Sequence, residues 1–153
     1  MNEYLKKSIE QAEKTYKKNA GGPFGAVIVN KDGEIISIAS NHVLEKHDPT
    51  AHAEIEAIRM ACKNLKTHDL SECTIYSSCE PCPMCLSAII WANIKKCVYG
   101  ANRVDAENVG FRDNAIYEFL KTRDENILEL ENIDRKECLK MFEEYQKMNG
   151  KIY

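Results

Sequence analysis

Two short segments of the chain carry side chains that could bind a metal ion. The first is His52-Ala53-Glu54, and the second is Pro81-Cys82-Pro83-Met84-Cys85. Cys82 and Cys85 are three residues apart, so their sulfur atoms share one face of a first helical turn. The positive end of the helix favours thiolates there. Two thiolates and a neutral imidazole give three zinc ligands and leave a fourth position open for water, which is typical of a catalytic site.

Glu54 fits a role beside such a metal rather than on it. It lies two residues after His52, about 200° around a regular helix, so it is poorly placed to share a metal on the helix side. At the N-terminal end of the helix both side chains can converge, with His52 on the metal and Glu54 on its bound water. Zinc lowers the pKa of that water to about 7, and a nearby carboxylate can take and return its proton.

Cys79 leaves an alternative open, because Cys79-Glu80-Pro81-Cys82 is an overlapping CxxC. A fourth ligand from Cys79 would close the shell as Cys₃His, which is typical of a structural zinc. We favour Cys79 as a core thiol at a strand end, because Pro81 separates it from the helix that aligns Cys82 and Cys85. Glu54 would also have no role in a closed site. A redox CxxC is disfavoured because Pro81-Cys82 with His52 upstream indicates metal.

Length and composition predict one globular domain spanning residues 1–153. The chain is 44% hydrophobic and 29% charged, and its 21 basic and 24 acidic residues give a net charge of −3. This balance argues against nucleic-acid binding by bulk electrostatics. No apolar run approaches the ~18 residues of a membrane span, and the first residues lack a signal-peptide pattern. Seven cysteines in such a chain indicate a reducing, cytoplasmic location.

Hydrophobic spacing and turn residues predict an α/β fold with helices on both faces of a sheet. The first helix is expected over residues 4–18, and helices are expected to start near Ala51, Pro81 and Asp134, the last continuing to about residue 148. Five strands are expected over residues 24–29, 34–39, 73–77, 96–100 and 126–130. Residues 41–50 are predicted to be a loop, and residues 105–111 either a turn of helix or a loop.

The pattern H-x-E…P-C-x-x-C is the signature of zinc nucleobase deaminases. On these motifs the chain resembles the cytidine deaminase-like superfamily, and within it the small bacterial guanine deaminases. The resemblance runs almost end to end, through residues 22–29 (GPFGAVIV), 48–54 (DPTAHAE), 78–85 (SCEPCPMC), 110–117 (GFRDNAIY) and the terminal KIY.

The resemblance implies a three-layer α/β/α fold with a five-stranded mixed sheet and one Zn²⁺ per chain. It also implies a homodimer whose C-terminal segments, from about residue 120 to 153, are exchanged. The implied reaction is hydrolytic deamination of a free nucleobase, guanine to xanthine with release of ammonia. Deaminases of cytosine, nucleosides or other aminated heterocycles share the zinc motifs and remain alternatives, as does a tRNA adenosine deaminase with less support.

The resemblance also assigns roles to individual residues. It implies that Asn41 hydrogen-bonds the purine, that Phe24 stacks near its ring and that the Ala53 N–H meets the developing oxyanion. It implies that Asp113 contacts the amino and ring N–H edge and assists proton movement, and that Tyr153 closes the pocket. Arg112 departs from the acidic or neutral residue expected beside Asp113.

The residues alone leave simpler alternatives open at three of these positions. Asp113 also fits a turn or helix cap beside Asn114, because short polar side chains bond nearby backbone groups. Asn41 equally fits a loop residue that bonds its own backbone. Tyr153 equally fits a frayed chain end.

Overall fold

A four-stranded mixed sheet with the strand order β2-β1-β3-β4 forms the centre of the computed structural model, which describes all 153 residues. Its strands are β1 (Gly25–Val29), β2 (Ile35–Ser40), β3 (Thr74–Cys79) and β4 (Lys96–Ala101). β1 is antiparallel to both β2 and β3, whereas β3 and β4 are parallel. The predicted α/β class and the first four strands are confirmed, with shifts of one or two residues at their ends.

The prediction of a fifth strand is wrong. Residues 126–130 contain a turn followed by irregular chain. The Asp124 side chain accepts hydrogen bonds from the backbone N–H and the side-chain amide of Asn126, at 2.9 and 2.8 Å. The Ile127 N–H bonds the Asp124 carbonyl at 3.0 Å. This local capping uses backbone groups that a strand would need for pairing.

Seven helices accompany the sheet. They are α1 (Glu3–Tyr16), α2 (Val43–Lys46), α3 (Ala53–Leu65), α4 (Pro83–Trp91), α5 (Arg103–Asn108), α6 (Asp113–Thr122) and α7 (Arg135–Lys147). The predicted helices correspond to α1, α3, α4 and α7. The short α2 lies within residues 41–50, which were predicted to be a loop. α5 overlaps the start of residues 105–111, for which a turn of helix or a loop was predicted, and α6 was not predicted. None of these helices combines the length and apolar character needed to cross a bilayer.

Helices α1 and α3 lie on opposite faces of the sheet and give three layers. On one face, a Cβ at Gly25 would lie 1.9 Å from the Ser8 carbonyl oxygen of α1, so only glycine allows this approach. On the other face, the Ser37 hydroxyl of β2 donates to the Ala57 carbonyl of α3 at 2.8 Å. A cluster of buried small and branched side chains fills the α3 side, including Ala26, Ile28, Ala57, Ala61 and Ile75.

The turn between β1 and β2 lies at the far end of the sheet from the starts of α3 and α4. The Asn30 side chain accepts from the N–H groups of Asp32 and Glu34 at 3.0 and 2.9 Å. Gly33 takes the left-handed conformation, with φ of 82°, which glycine adopts without steric cost. The hairpin predicted from this turn chemistry is confirmed.

The chain divides into two compact units, Met1–Tyr117 and Glu118–Tyr153. The first unit contains the sheet. The second contains α7, which begins after Asp134 as predicted, although the Asp134 side chain makes no capping hydrogen bond. Near the chain end, the Tyr145 hydroxyl donates to the Lys151 carbonyl at 2.7 Å.

Candidate metal and catalytic site

The candidate site residues of the first unit lie at one end of the sheet. Phe24 precedes β1, Asn41 follows β2, and the Cys82 segment follows β3. α3 and α4 both begin at this end, directly after His52 and Cys82, which are their N-cap residues with extended backbones. Pro83 occupies the first turn of α4, where its missing N–H costs no helical hydrogen bond. Sheet topology therefore brings together residues that are far apart in sequence.

The His52, Cys82 and Cys85 donor atoms form a group suited to a metal ion, all within 4.8 Å of one another. The His52 Nδ1 atom lies 3.6 Å from the Sγ atoms of both cysteines. Tetrahedral ligands placed at zinc–sulfur and zinc–nitrogen bond lengths lie about 3.5 Å apart. The spacing and the chemistry of the three donors therefore fit Zn²⁺.

The pKa values of the two cysteines of this group shift in opposite directions. A hydrogen bond from the Cys85 thiol, assisted by His52, lowers the pKa of Cys82 well below its usual range. The same contact, together with burial and the Glu54 carboxylate, raises the pKa of Cys85 above its usual range. The contact with Cys82 also raises the pKa of His52 against the effect of burial. The site thus concentrates negative charge that a cation would neutralise, displacing the thiol proton.

Glu54 lies beside the donor group and is not a member of it. Its side chain is buried, with 5% of the residue exposed. Oε1 accepts a hydrogen bond from the Ser77 hydroxyl at 3.0 Å, and Oε2 lies 3.5 Å from the Cys85 sulfur. Burial raises the pKa of Glu54, because desolvation disfavours the charged carboxylate. A carboxyl group of this kind is suited to proton transfer.

Cys79 lies outside the donor group. It is the last residue of β3, as predicted, and is buried. Its sulfur contacts the Asn102 carbonyl at 3.6 Å. Burial, followed by nearby carboxylates, raises the pKa of Cys79 to about 11, so this thiol stays protonated at neutral pH.

Asn41 is buried, and its side-chain oxygen is fully engaged. Oδ1 accepts from the N–H groups of Gly22 and Val43 at 3.1 and 3.2 Å. The reversed amide would place its NH₂ group against two N–H donors, so the orientation is fixed. A Cβ at Gly21 would lie 2.5 Å from this Oδ1. Nδ2 is therefore the group with which Asn41 can bind a ligand, as a donor.

Phe24 is partly buried and packs against Phe111. Their ring centroids are 4.7 Å apart and their planes meet at 76°. Phe111 belongs to the segment that leads into α6, whose first residue is Asp113. Burial and the nearby Cys82 raise the pKa of Asp113, while His52 opposes the shift. Asp113 therefore lies within electrostatic range of the donor group, and the neighbouring Arg112 is exposed.

Two further candidate residues lie at the start of a helix and at the end of the chain. Ala53 is fully buried and is the first residue of α3. The amide N–H groups of a first helical turn have no acceptor within the helix, so the Ala53 N–H is suited to bind an oxyanion. Tyr153 lies in the second unit and is exposed in the single chain.

Sequence reasoning did not identify Ser77 or Phe111 as parts of the site. A signal for Ser77 was available, because the predicted strand of residues 73–77 would place Ile75 and Ser77 on the same face. The partner of Ser77, Glu54, could not be inferred from strand periodicity. Phe111 lies within the quoted segment of residues 110–117, but its contact with Phe24 depends on tertiary packing.

Family comparison agrees with this geometry. Residues 1–101 match the family described as the cytidine and deoxycytidylate deaminase zinc-binding region. The matched residues include all three donor residues and Glu54. The chain belongs to this family and is a zinc-dependent aminohydrolase that carries one Zn²⁺.

Similar proteins extend the comparison to the whole chain. The guanine deaminase of Bacillus subtilis (strain 168) is 44% identical over 149 residues, which cover 97% of this chain and 95% of that protein. An X-ray structure of guanine deaminase from Bacillus subtilis superposes with a TM-score of 0.91 at 42% identity, covering 100% of this chain and 99% of the other. A tRNA-specific adenosine deaminase of Aquifex aeolicus (strain VF5) is 45% identical over 98 residues, 64% of each protein.

Proposed function

We propose that the protein hydrolyses free guanine to xanthine and ammonia. The observation that carries this proposal is the buried Glu54 carboxyl beside a three-donor zinc group, in a chain similar over its whole length to a guanine deaminase. Water adds to the amino-bearing carbon C2, the C2–N bond breaks, and the amine leaves as ammonia. The reaction needs no oxidant or reductant.

Different residues of the chain bind the metal and transfer protons. His52, Cys82 and Cys85 would hold the zinc ion, with Cys79 outside the shell. When bound, zinc lowers the pKa of a coordinated water to about 7 and supplies the nucleophile at neutral pH. Glu54 takes one proton from the attacking water and delivers it to the ring nitrogen beside C2, and it then carries the second proton, from the added hydroxyl, to the leaving amine. The Ala53 N–H stabilises charge that develops on oxygen.

Recognition of guanine would combine an acceptor, a donor and an aromatic face. Asp113 accepts from the N1–H and amino groups of the base, since an ionised carboxylate only accepts hydrogen bonds, and it assists proton movement. Asn41 donates from Nδ2 to a purine acceptor, since its Oδ1 already binds Gly22 and Val43. Phe24 contacts the ring. Tyr153 closes the site over the bound base.

We also propose that the protein is a homodimer with exchanged C-terminal segments. Each unit separately exposes large apolar side chains, with Ile90 at 71% and Trp91 at 67% in the first and Leu130 at 64% and Phe142 at 66% in the second. Exposed apolar surface of this kind is typical of protein interfaces. Sedimentation of the full chain would show a dimer, and a monomer at micromolar concentration would contradict this proposal.

We also propose a cytoplasmic location and a small-molecule substrate. The seven cysteines of the chain suit the reducing cytoplasm. The substrate is a small molecule rather than a nucleic acid, in keeping with the net charge of −3.

Ammonia release from a panel of substrates tests the proposed function directly. Purified zinc-loaded protein is incubated with guanine, adenine, cytosine, guanosine, cytidine and tRNA, and ammonia and products are measured. We expect guanine to give the highest kcat/KM, with xanthine as product. A preference for cytosine or a nucleoside would assign a different deaminase, and a preference for tRNA would assign an RNA-editing enzyme.

A further inference from the structure

Ser77 makes a side-chain contact that the proposed mechanism does not use. It lies in β3 and is only 1% exposed. Its hydroxyl donates a hydrogen bond to Glu54 Oε1 at 3.0 Å. Both partners are buried, so bulk water screens this hydrogen bond little. The bond joins the central part of the sheet to the first turn of α3.

The backbone of Ser77 is held on both sides by neighbouring strands. Ser77 pairs with Ala26 of β1 and with Tyr99 of β4. Its side chain lies on the same face of β3 as those of Ile75 and Cys79, and all three are buried. The hydroxyl therefore reaches Glu54 from a rigid element, and rigid support of this kind holds functional groups in precise positions.

The contact distinguishes the two oxygens of Glu54. Ser77 binds Oε1, whereas Oε2 lies 3.5 Å from the Cys85 sulfur, on the side of the donor group. Without the hydroxyl, the carboxyl group could rotate about its last side-chain torsion, which has a broad energy profile. The hydroxyl thus fixes the plane of the carboxyl group, so that the oxygen not bound to Ser77 is directed toward the metal ligands.

We propose that Ser77 is a positioning residue for proton transfer, which holds Glu54 by Oε1 so that Oε2 faces the reacting water. This inference rests on the proposed function. It predicts that Ser77 acts on the rate of the chemical step, because substrate and zinc bind to other residues. Its loss should therefore change kcat much more than KM or zinc content.

Ser37 provides a matched control. Ser37 lies in β2 and is only 3% exposed. Its hydroxyl donates a hydrogen bond to the Ala57 carbonyl of α3 at 2.8 Å. Ser37→Ala and Ser77→Ala each remove one buried hydroxyl that joins the sheet to α3. Only Ser77→Ala removes a hydrogen bond to Glu54.

The experiment compares wild type, S77A, S77T and S37A as full-length zinc-loaded proteins. Zinc per chain, thermal unfolding, and kcat and KM for ammonia release from guanine are measured. We expect S77A to lower kcat about 10- to 100-fold, the effect of losing a hydrogen bond to a charged group. KM should stay within about twofold and zinc near one per chain. S77T, which keeps a hydroxyl, should recover most of kcat, and S37A should match wild type.

Other outcomes would overturn the inference. They are a wild-type kcat for S77A, an equal loss of kcat in S37A, or a loss of zinc in S77A that accounts for the lost activity. If S77A does not fold, S77T becomes the variant that tests the role. A folded S77T whose kcat is as low as that of a Glu54→Gln variant would also refute the role. A wild-type protein that releases no ammonia from guanine would instead contradict the proposed function.

Discussion

Phe111 meets Phe24 edge-on, with ring centroids 4.7 Å apart and ring planes at 76°. This contact joins the start of β1 to the segment that precedes α6. Aromatic pairs in this geometry contribute about 0.5–1.5 kcal/mol beyond their buried area. The pair therefore fixes the approach of Asp113 to the same end of the sheet as the three metal-ligand candidates.

Replacing Asp113 with Asn should impair guanine turnover while leaving the fold intact. The amide replaces one acceptor oxygen with an NH₂ donor, so it cannot accept on both atoms as an ionised carboxylate does. We expect kcat/KM for guanine to fall roughly 10- to 100-fold, the equivalent of a charged hydrogen bond worth about 1.5–3 kcal/mol. Steady-state ammonia release measures the effect. The neighbouring exposed Asn114→Ala is the control, and equal activity of D113N and N114A would contradict the recognition role.

Replacing Glu54 with Gln should nearly abolish turnover without removing zinc. Glutamine keeps the shape of the side chain but cannot take a proton from water, so we expect kcat to fall roughly 10²- to 10⁴-fold. Zinc should stay near one per chain, measured by atomic absorption. Glu56→Gln is the matched control, because Glu56 lies on the same helix and pairs with Lys46 and Arg59. Persistent activity in E54Q would exclude the proton-transfer role.

Replacing Cys82 and Cys79 separately should distinguish an open from a closed zinc shell. We expect Cys82→Ala to weaken zinc affinity by more than about 100-fold, since changes outside the ligand shell already cost roughly 10- to 100-fold. Cys79→Ala should keep one zinc per chain, because the buried Cys79 thiol, with its pKa raised to about 11, is not a member of the donor group. Chelator competition measures both affinities. Equal zinc loss in the two variants would support a Cys₃His shell.

Asn41→Asp should separate the two polar groups of Asn41. The carboxylate can still accept from the N–H groups of Gly22 and Val43, which keeps the loop in place, but it removes the Nδ2 donor. We expect KM for guanine to rise about tenfold, as for the loss of one hydrogen bond of about 1.5 kcal/mol, with little change in the melting temperature. Asn41→Ala should lower both affinity and stability. An unchanged KM in N41D would show that Nδ2 does not bind the base.

Tyr153→Ala tests the proposed closure of the site by the chain end. We expect kcat/KM for guanine to fall at least about tenfold, because a closed site excludes water and strengthens polar contacts, while thermal unfolding stays unchanged. Met148→Ala is the control, since Met148 is equally exposed, at 78% against 77%, in the same unit. Full activity of Y153A would remove Tyr153 from the site.

The sequence predicted the candidate metal ligands because their signal is local. The spacing of Cys82 and Cys85 is a property of one helical turn, and His52 and Glu54 lie in one tripeptide. The Ser77–Glu54 and Phe24–Phe111 contacts could not be predicted, because they join side chains that only strand pairing and helix packing bring together.

Fold prediction succeeded where hydrophobic periodicity is strong, as in β1, which is buried at every position. In the C-terminal third it identified α7 but missed α6 and wrongly assigned a strand to residues 126–130. Residues 126–130 are apolar enough to suggest a strand, but the Asp124 side chain captures the Asn126 backbone. Such local side-chain capture competes with strand pairing, and composition alone does not show which will win.

The Asn30–Glu34 turn has a practical consequence for work on this protein. It joins β1 to β2 at the sheet end remote from His52. Most of its hydrogen bonds are made within the turn itself, apart from the one that the Tyr4 hydroxyl donates to the Gly33 carbonyl at 2.9 Å. A fluorophore, affinity tag or short inserted peptide placed there would lie about the length of a strand, roughly 17 Å, from the chemistry. The hairpin therefore offers an attachment point for immobilising the protein or reporting its unfolding without disturbing turnover.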